Sequence, residues 1–161
     1  MAHRLLAVSL VVALAAAGCA SRSARPRPPS PTPSQPHSPA TAAAIVGSAL
    51  ALERVPYRNG GTDTTGFDCS GLVQYVFGQE GIALPRSVRE QYEAGERVDR
   101  SELKPGDVVF FSTVAPGPSH VGIVIGDDVF VHAPSGRGVV REERLSGSYW
   151  AKRYVGARRY W

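Results

Sequence analysis

The sequence predicts an α+β domain in which N-terminal helices pack on an antiparallel β-sheet. Three observations carry this. Residues 41–95 read as helices separated by turn-rich stretches. After Pro105-Gly106 the apolar pattern changes to period two and to short apolar runs. Turn residues separate those runs, and one link is short enough for a tight hairpin.

Taken in order, "TAAAIVGSALALERV" (41–55) places Ile45, Ala49 and Leu52 on one helical face and stops before Pro56. "YRNGGTDTTGFD" (57–68) is turn-rich and irregular. "CSGLVQYVFGQEGI" (69–82) is a helix with Leu72, Val73, Val76 and Phe77 on one side. Asp68 is its candidate N-cap, which puts Cys69 in the first turn. "PRSVREQYEAG" (85–95) is a short third helix opened by Pro85 or Arg86. The strands are "DVVFFS" (107–112), "HVGIVIG" (120–126), "DVFVHA" (128–133), "GVVREER" (138–144) and "RYVGARRY" (153–160). Gly126-Asp127-Asp128 is the tight hairpin link.

The first 18 residues read as an export signal. Arg4 supplies a positive start, and Leu5–Ala17 is apolar apart from Ser9, too short to span a bilayer comfortably. Ala16-Ala17-Gly18 leads directly into Cys19 and resembles a bacterial lipoprotein processing site, with Ala16 where Leu is usual. That resemblance implies acylation of Cys19. Residues 19–40 are rich in Pro, Ser and Arg and hold almost nothing apolar, so they read as a disordered stalk. At ~3.1 Å per residue it reaches roughly 65 Å. Ala20 stands where inner-membrane lipoproteins carry Asp. The expected location is therefore the outer membrane, facing the periplasm, or the outer side of the cell membrane where there is only one.

Residues 41–161 form the remaining domain, large enough for a core without disulfides. The chain carries 18 Lys and Arg against 14 Asp and Glu. Removing Arg4, Arg22, Arg25 and Arg27 leaves the domain formally neutral, which argues against a nucleic-acid partner. A monomer is the default expectation.

With Cys19 acylated, Cys69 has no partner in an oxidising compartment. It is then either a buried, inert thiol or a reactive one. A nucleophilic cysteine needs help reaching the thiolate, from a helix N-terminus and from a neighbouring base. Only His120 and His132 are available in the domain, and the hairpin brings them toward the same end of adjacent strands. One can accept the thiol proton while the other orients it. A zinc site of Cys69, His120 and His132 lacks tight ligand spacing and a fourth ligand, so no metal or other cofactor is expected.

"GFDCSGLVQYVF", "LPRSVREQY", "LKPGDVVFF", "SHVGIVIGDDVFVHA" and "YWAKRYVGARRYW" together resemble the NlpC/P60 family of papain-like cysteine peptidases, in that family's order. The resemblance covers roughly residues 42–161. It implies a papain-like α+β core and cleavage of amide bonds in peptidoglycan stem peptides, either D-Glu–diaminopimelate or a diaminopimelate cross-link, through a thioester. It places the nucleophile on Cys69, the base on His120, the orienting residue on His132, and Tyr57 near the oxyanion site. Backbone N–H groups at Cys69 and Ser70 would hold the oxyanion. Arg86, Ser87 and Gln91 are expected along the substrate groove, and Lys152, Arg153, Arg158 and Arg159 are candidates for substrate carboxylates. An amidase or acyltransferase using the same thiol, and a non-catalytic wall-binding lipoprotein, are the alternative readings.

Overall fold

The computed structural model describes residues 38–136 and 138–161. The export signal, Cys19 and the stalk as far as residue 37 lie outside the described residues. Ser38 caps the first helix, α1 (Pro39–Leu50), by accepting from the Ala40 N–H at 3.2 Å, and Pro39 takes the N1 position. The helix thus begins inside the expected stalk. It also ends before the expected 55, because Ala51–Arg54 form a turn in which Arg54 has φ 71°. Ala42, Ile45 and Ala49 are its buried residues.

The segment 57–68, expected to be irregular, holds a two-stranded hairpin of β1 (Thr62–Asp63) and β2 (Gly66–Phe67). Next comes α2 (Cys69–Gln79), buried through Leu72, Val73, Val76 and Phe77 as its apolar pattern predicts. α3 (Val88–Ala94) starts later than Pro85 or Arg86. A capping box fixes its start, with Ser87 and Glu90 each bonding the other's backbone N–H.

One six-stranded antiparallel sheet follows: β3 (Glu96–Val98), β4 (Val108–Phe111), β5 (His120–Gly126), β6 (Val129–His132), β7 (Arg141–Arg144) and β8 (Tyr154–Arg159). A short α4 (Ser148–Ala151) precedes β8. The spatial order is β3-β8-β4-β5-β6-β7, so the C-terminal strand is inserted between β3 and β4. The β5–β6 link is the expected two-residue turn. Asp127 and Asp128 both adopt positive φ, at 36° and 67°, which suits the right-handed twist of the flanking strands.

Both faces of the sheet are covered. Val108, Phe110, Val121, Ile123 and Val131 pack under α1 and α2. Val109, Phe111, Val124, Phe130 and Ala157 pack on the opposite side with Leu145 and Trp150. Phe111 pairs with His120 across β4 and β5, so His120 belongs to the Trp150 side.

Three of the basic residues proposed for substrate carboxylates are committed to the fold. Arg159 makes two 2.7 Å bonds to Asp107, which is fully buried and also accepts from the Lys104 N–H at 2.8 Å. The guanidinium of Arg158 lies 3.8 Å from the Tyr92 ring centroid and donates to the Tyr92 carbonyl. Arg153 lies 3.8 Å from the Tyr149 ring centroid and donates to the Tyr149 carbonyl. Lys152 is exposed.

Removing one partner of a buried pair strands the other charge in a poorly solvating interior. Arg159→Met should therefore destabilise the domain by about 3 kcal/mol or more in urea unfolding. Arg58→Met, at the exposed Arg58–Asp63 pair, should cost less than about 1 kcal/mol. Similar losses for the two variants would contradict this assignment.

Candidate active site

The N-terminus of α2 is built around Asp68, whose side chain accepts from the Gly71 N–H at 2.7 Å. The Leu72 N–H goes to the Asp68 carbonyl. That leaves the two N–H groups before them, on Cys69 and Ser70, turned toward the Cys69 sulfur, where the Val121 N–H joins them. Val121 follows His120 directly, so the thiol is seated against the start of β5. Gly71 is required here, because a Cβ on it would lie 2.0 Å from the Gly61 carbonyl oxygen. The short stretch Asp68-Cys69-Ser70-Gly71 therefore caps the helix, presents the thiol and admits a neighbouring backbone.

Burial pushes the Cys69 thiol up to about 11, with the Asp68 carboxylate adding to the rise. The three N–H groups offset this only in part. The sequence expectation weighs the helix N-terminus and a neighbouring base in favour of the thiolate but does not include the burial that opposes it. Burial also lowers His120, to about 4. The resting site thus pairs a neutral thiol with a neutral imidazole.

His120 Nε2 lies 2.7 Å from His132 Nδ1, so the hairpin does bring the two histidines together. His132 is fully buried, and burial first, then His120 and Arg141, hold it well below its usual range. Trp150 stacks on His120 at 5.4 Å between ring centroids and meets the edge of His132 at 4.9 Å. If His120 is to accept a proton on Nδ1, its Nε2 must carry the hydrogen donated to His132. His132 then holds its own proton on Nε2, a buried atom with no hydrogen-bond partner among the described residues. Among those residues no hydrogen bond joins Cys69 to His120, a separation that substrate binding can close.

The remaining expected residues divide. Tyr57 is partly buried beside the thiol, and its phenol is raised by burial and by Cys69 and Asp68. Arg86 donates to Asp68 Oδ1 at 3.0 Å and to the Ser70 hydroxyl at 2.8 Å. Burial pulls Asp68 upward, but the bonds from Arg86 and Gly71 leave it below the usual carboxylate range. Ser87 spends its hydroxyl on the α3 cap. Gln91 does not line a groove. It is fully buried and donates to the carbonyls of Ser70 and Pro85, tying α3 to the start of α2. Sequence reasoning missed Trp150, since an aromatic residue in a four-residue helix carries no periodic signal.

Both histidines take up protons more readily when unfolded, near 6.5, than in the fold. Stability should be complete above about 6.5 and fall as pH drops toward 4. At pH 5 the loss should be roughly 2 kcal/mol per histidine. Thermal unfolding between pH 7.5 and 5 should show this fall, shallower in His132→Gln. A flat wild-type profile would exclude the buried neutral pair.

The family model of NlpC/P60 matches residues 54–159. Over 106 residues the chain is 48% identical to the murein DD-endopeptidase MepS/murein LD-carboxypeptidase of Escherichia coli (strain K12), covering 65% of this chain and 55% of that protein. Over 119 residues it is 44% identical to the gamma-DL-glutamyl hydrolase of Bacillus subtilis (strain 168), covering 71% of this chain and 29% of that protein. The chain thus spans about half or less of these relatives. A crystal structure described as similar to lipoprotein, NLP/P60 family, from Staphylococcus aureus subsp. aureus Mu50 superposes with a TM-score of 0.69 and 35% identity. That match covers 81% of this chain and 45% of the other. With the matched segment running from the turn after α1 to the end of β8, this chain belongs to the NlpC/P60 family.

Proposed function

We propose that this protein is a cysteine endopeptidase that cuts amide bonds in peptidoglycan stem peptides, exported and held at the membrane by a lipid on Cys19. The observation that carries the reading is the seat of Cys69. Its sulfur faces the Val121 N–H one residue from His120, and His120 is held in turn by His132. The names of the relatives, a murein endopeptidase and a glutamyl hydrolase, support the substrate class.

In this reading His120 Nδ1 takes the thiol proton as the Cys69 sulfur attacks the scissile carbonyl carbon. N–H groups at the start of α2 hold the oxyanion, with Tyr57 beside them. The C–N bond breaks as His120 returns the proton to the leaving nitrogen, and the amine departs. Water then attacks the thioester while His120 removes its proton. The C–S bond breaks, the acid is released, and the thiol recovers its proton. Because the resting thiol is neutral, proton transfer accompanies attack. Arg86, fixed by Asp68 and half-exposed, offers its remaining N–H donors to a substrate carboxylate. The mechanism needs no metal. The signal (1–18), the stalk (19–40) and an outer-membrane, periplasm-facing location complete the reading, with the protein acting as a monomer.

Mass spectrometry of defined muropeptides should show new fragments with the wild-type protein and none with Cys69→Ala, and the masses identify the bond. Arg86→Ala should lower kcat/KM by about 10-fold or more. Fragments that persist in Cys69→Ala would end the proposal. Alkylation of Cys69 by iodoacetamide should accelerate steadily from pH 7 to pH 10; a plateau reached below pH 7 would mean a preformed thiolate.

A further inference from the structure

A cleft of about 480 Å³ opens beside His120, bounded by Trp150, Tyr149 and β7. His120 lines it, and Cys69 does not. In the peptidase reading, on which this inference rests, His120 delivers a proton to the departing nitrogen. The residue carrying that nitrogen must therefore lie within hydrogen-bond reach of the imidazole, next to this cleft. The volume suits one or two amino-acid residues.

The charge inside the cleft selects among leaving residues. Arg141 pairs directly with His132 across β6 and β7, and Glu143 follows two positions later on the same face. Both line the cleft, joined by a 3.0 Å ion pair. The Arg141 side chain is 52% exposed, and a guanidinium has five N–H donors in a fork matched to carboxylates. One acid at its flank leaves donors for a second carboxylate while fixing the direction from which it is approached.

We propose that this cleft is the subsite for the leaving residue, and that Arg141 selects leaving residues bearing a free carboxylate. The cation sits on the strand bonded to β6, so its distance from the His120–His132 pair is set by strand register.

The test compares L-alanyl-γ-D-glutamyl-diaminopimelate with its counterpart amidated on the diaminopimelate carboxylates, using the full chain. The wild-type kcat/KM should favour the carboxylate form by about 10-fold or more. In Arg141→Gln the ratio should fall to about 2-fold or less, and Arg141→Lys, which keeps the charge but loses the fork, should be intermediate. A purely structural role would lower both rates together and leave the ratio unchanged, which would overturn the proposal, as would a wild type without preference. If the wild type cuts neither peptide, the muropeptide digest decides between cleavage at the cross-link and failure of the peptidase reading, and binding decides the subsite on its own. Diaminopimelate should then bind Cys69→Ala protein about 10-fold more tightly than its diamide in NMR titration, a difference that adding Arg141→Gln abolishes. Equal binding, or none, would overturn the subsite.

Discussion

Everything at the site depends on one meeting point between the two faces of a sheet. Cys69 arrives with α2 on the helical side, while His120 stands on the opposite side, against Trp150. They can approach each other only at the start of β5, where a strand does not yet separate the layers. The Val121 N–H directed at the sulfur marks that place. Holding it requires a strand pair that does not shift. The β4–β5 pair is buried on both faces, with Phe110 and Val121 under the helices and Phe111 beside His120 on the other side. Dense packing on both sides is what denies the strand end room to move.

Burial that fixes the geometry also sets the protonation states. The same enclosure that raises the thiol lowers both imidazoles, so separated charges are disfavoured until a substrate reorganises the site. The polar groups are held apart in two networks. Asp68, Arg86 and Ser70 form one around the start of α2, and the two histidines with Trp150 form the other. Cys69 sits between an acid that disfavours its anion and N–H groups that favour it. Neither network alone makes the thiol reactive.

Much of this was legible in the chain because it is local. The Asp68 cap, the apolar face of α2, the bounds of β5 and the Asp127-Asp128 turn follow from residue type and spacing. The turn length places His120 and His132 toward the same end of adjacent strands, but their sharing of one face depends on a register shift between Val124 and Gly126 that the sequence does not announce. What could not be read depends on distant partners. The insertion of β8 between β3 and β4 joins residues far apart in sequence, and three-residue β3 is too short to show a period. From sequence, Gln91 is expected along the groove because nothing nearby reveals that the Ser70 and Pro85 carbonyls need a donor. The same holds for Arg159, whose buried partner Asp107 lies 52 residues earlier, directly before β4. The rise in the Cys69 thiol is a property of enclosure, which composition does not report.

The two-residue turn between β5 and β6 has a consequence for how this domain tolerates length change. Loop tips are ordinarily where chains accept added or lost residues. The β5–β6 pair already carries one register shift, between Val124 and Gly126, so a residue gained or lost between His120 and His132 that is not taken up by a further shift reverses which way every β6 side chain points relative to β5. His132 would exchange places with its neighbour Val131, sending an imidazole into the apolar layer beneath α2 and a valine toward Trp150. The hairpin tip lies at the surface, far along the strands from the thiol, yet its length and the register shift beside it together decide which side of the sheet His132 faces.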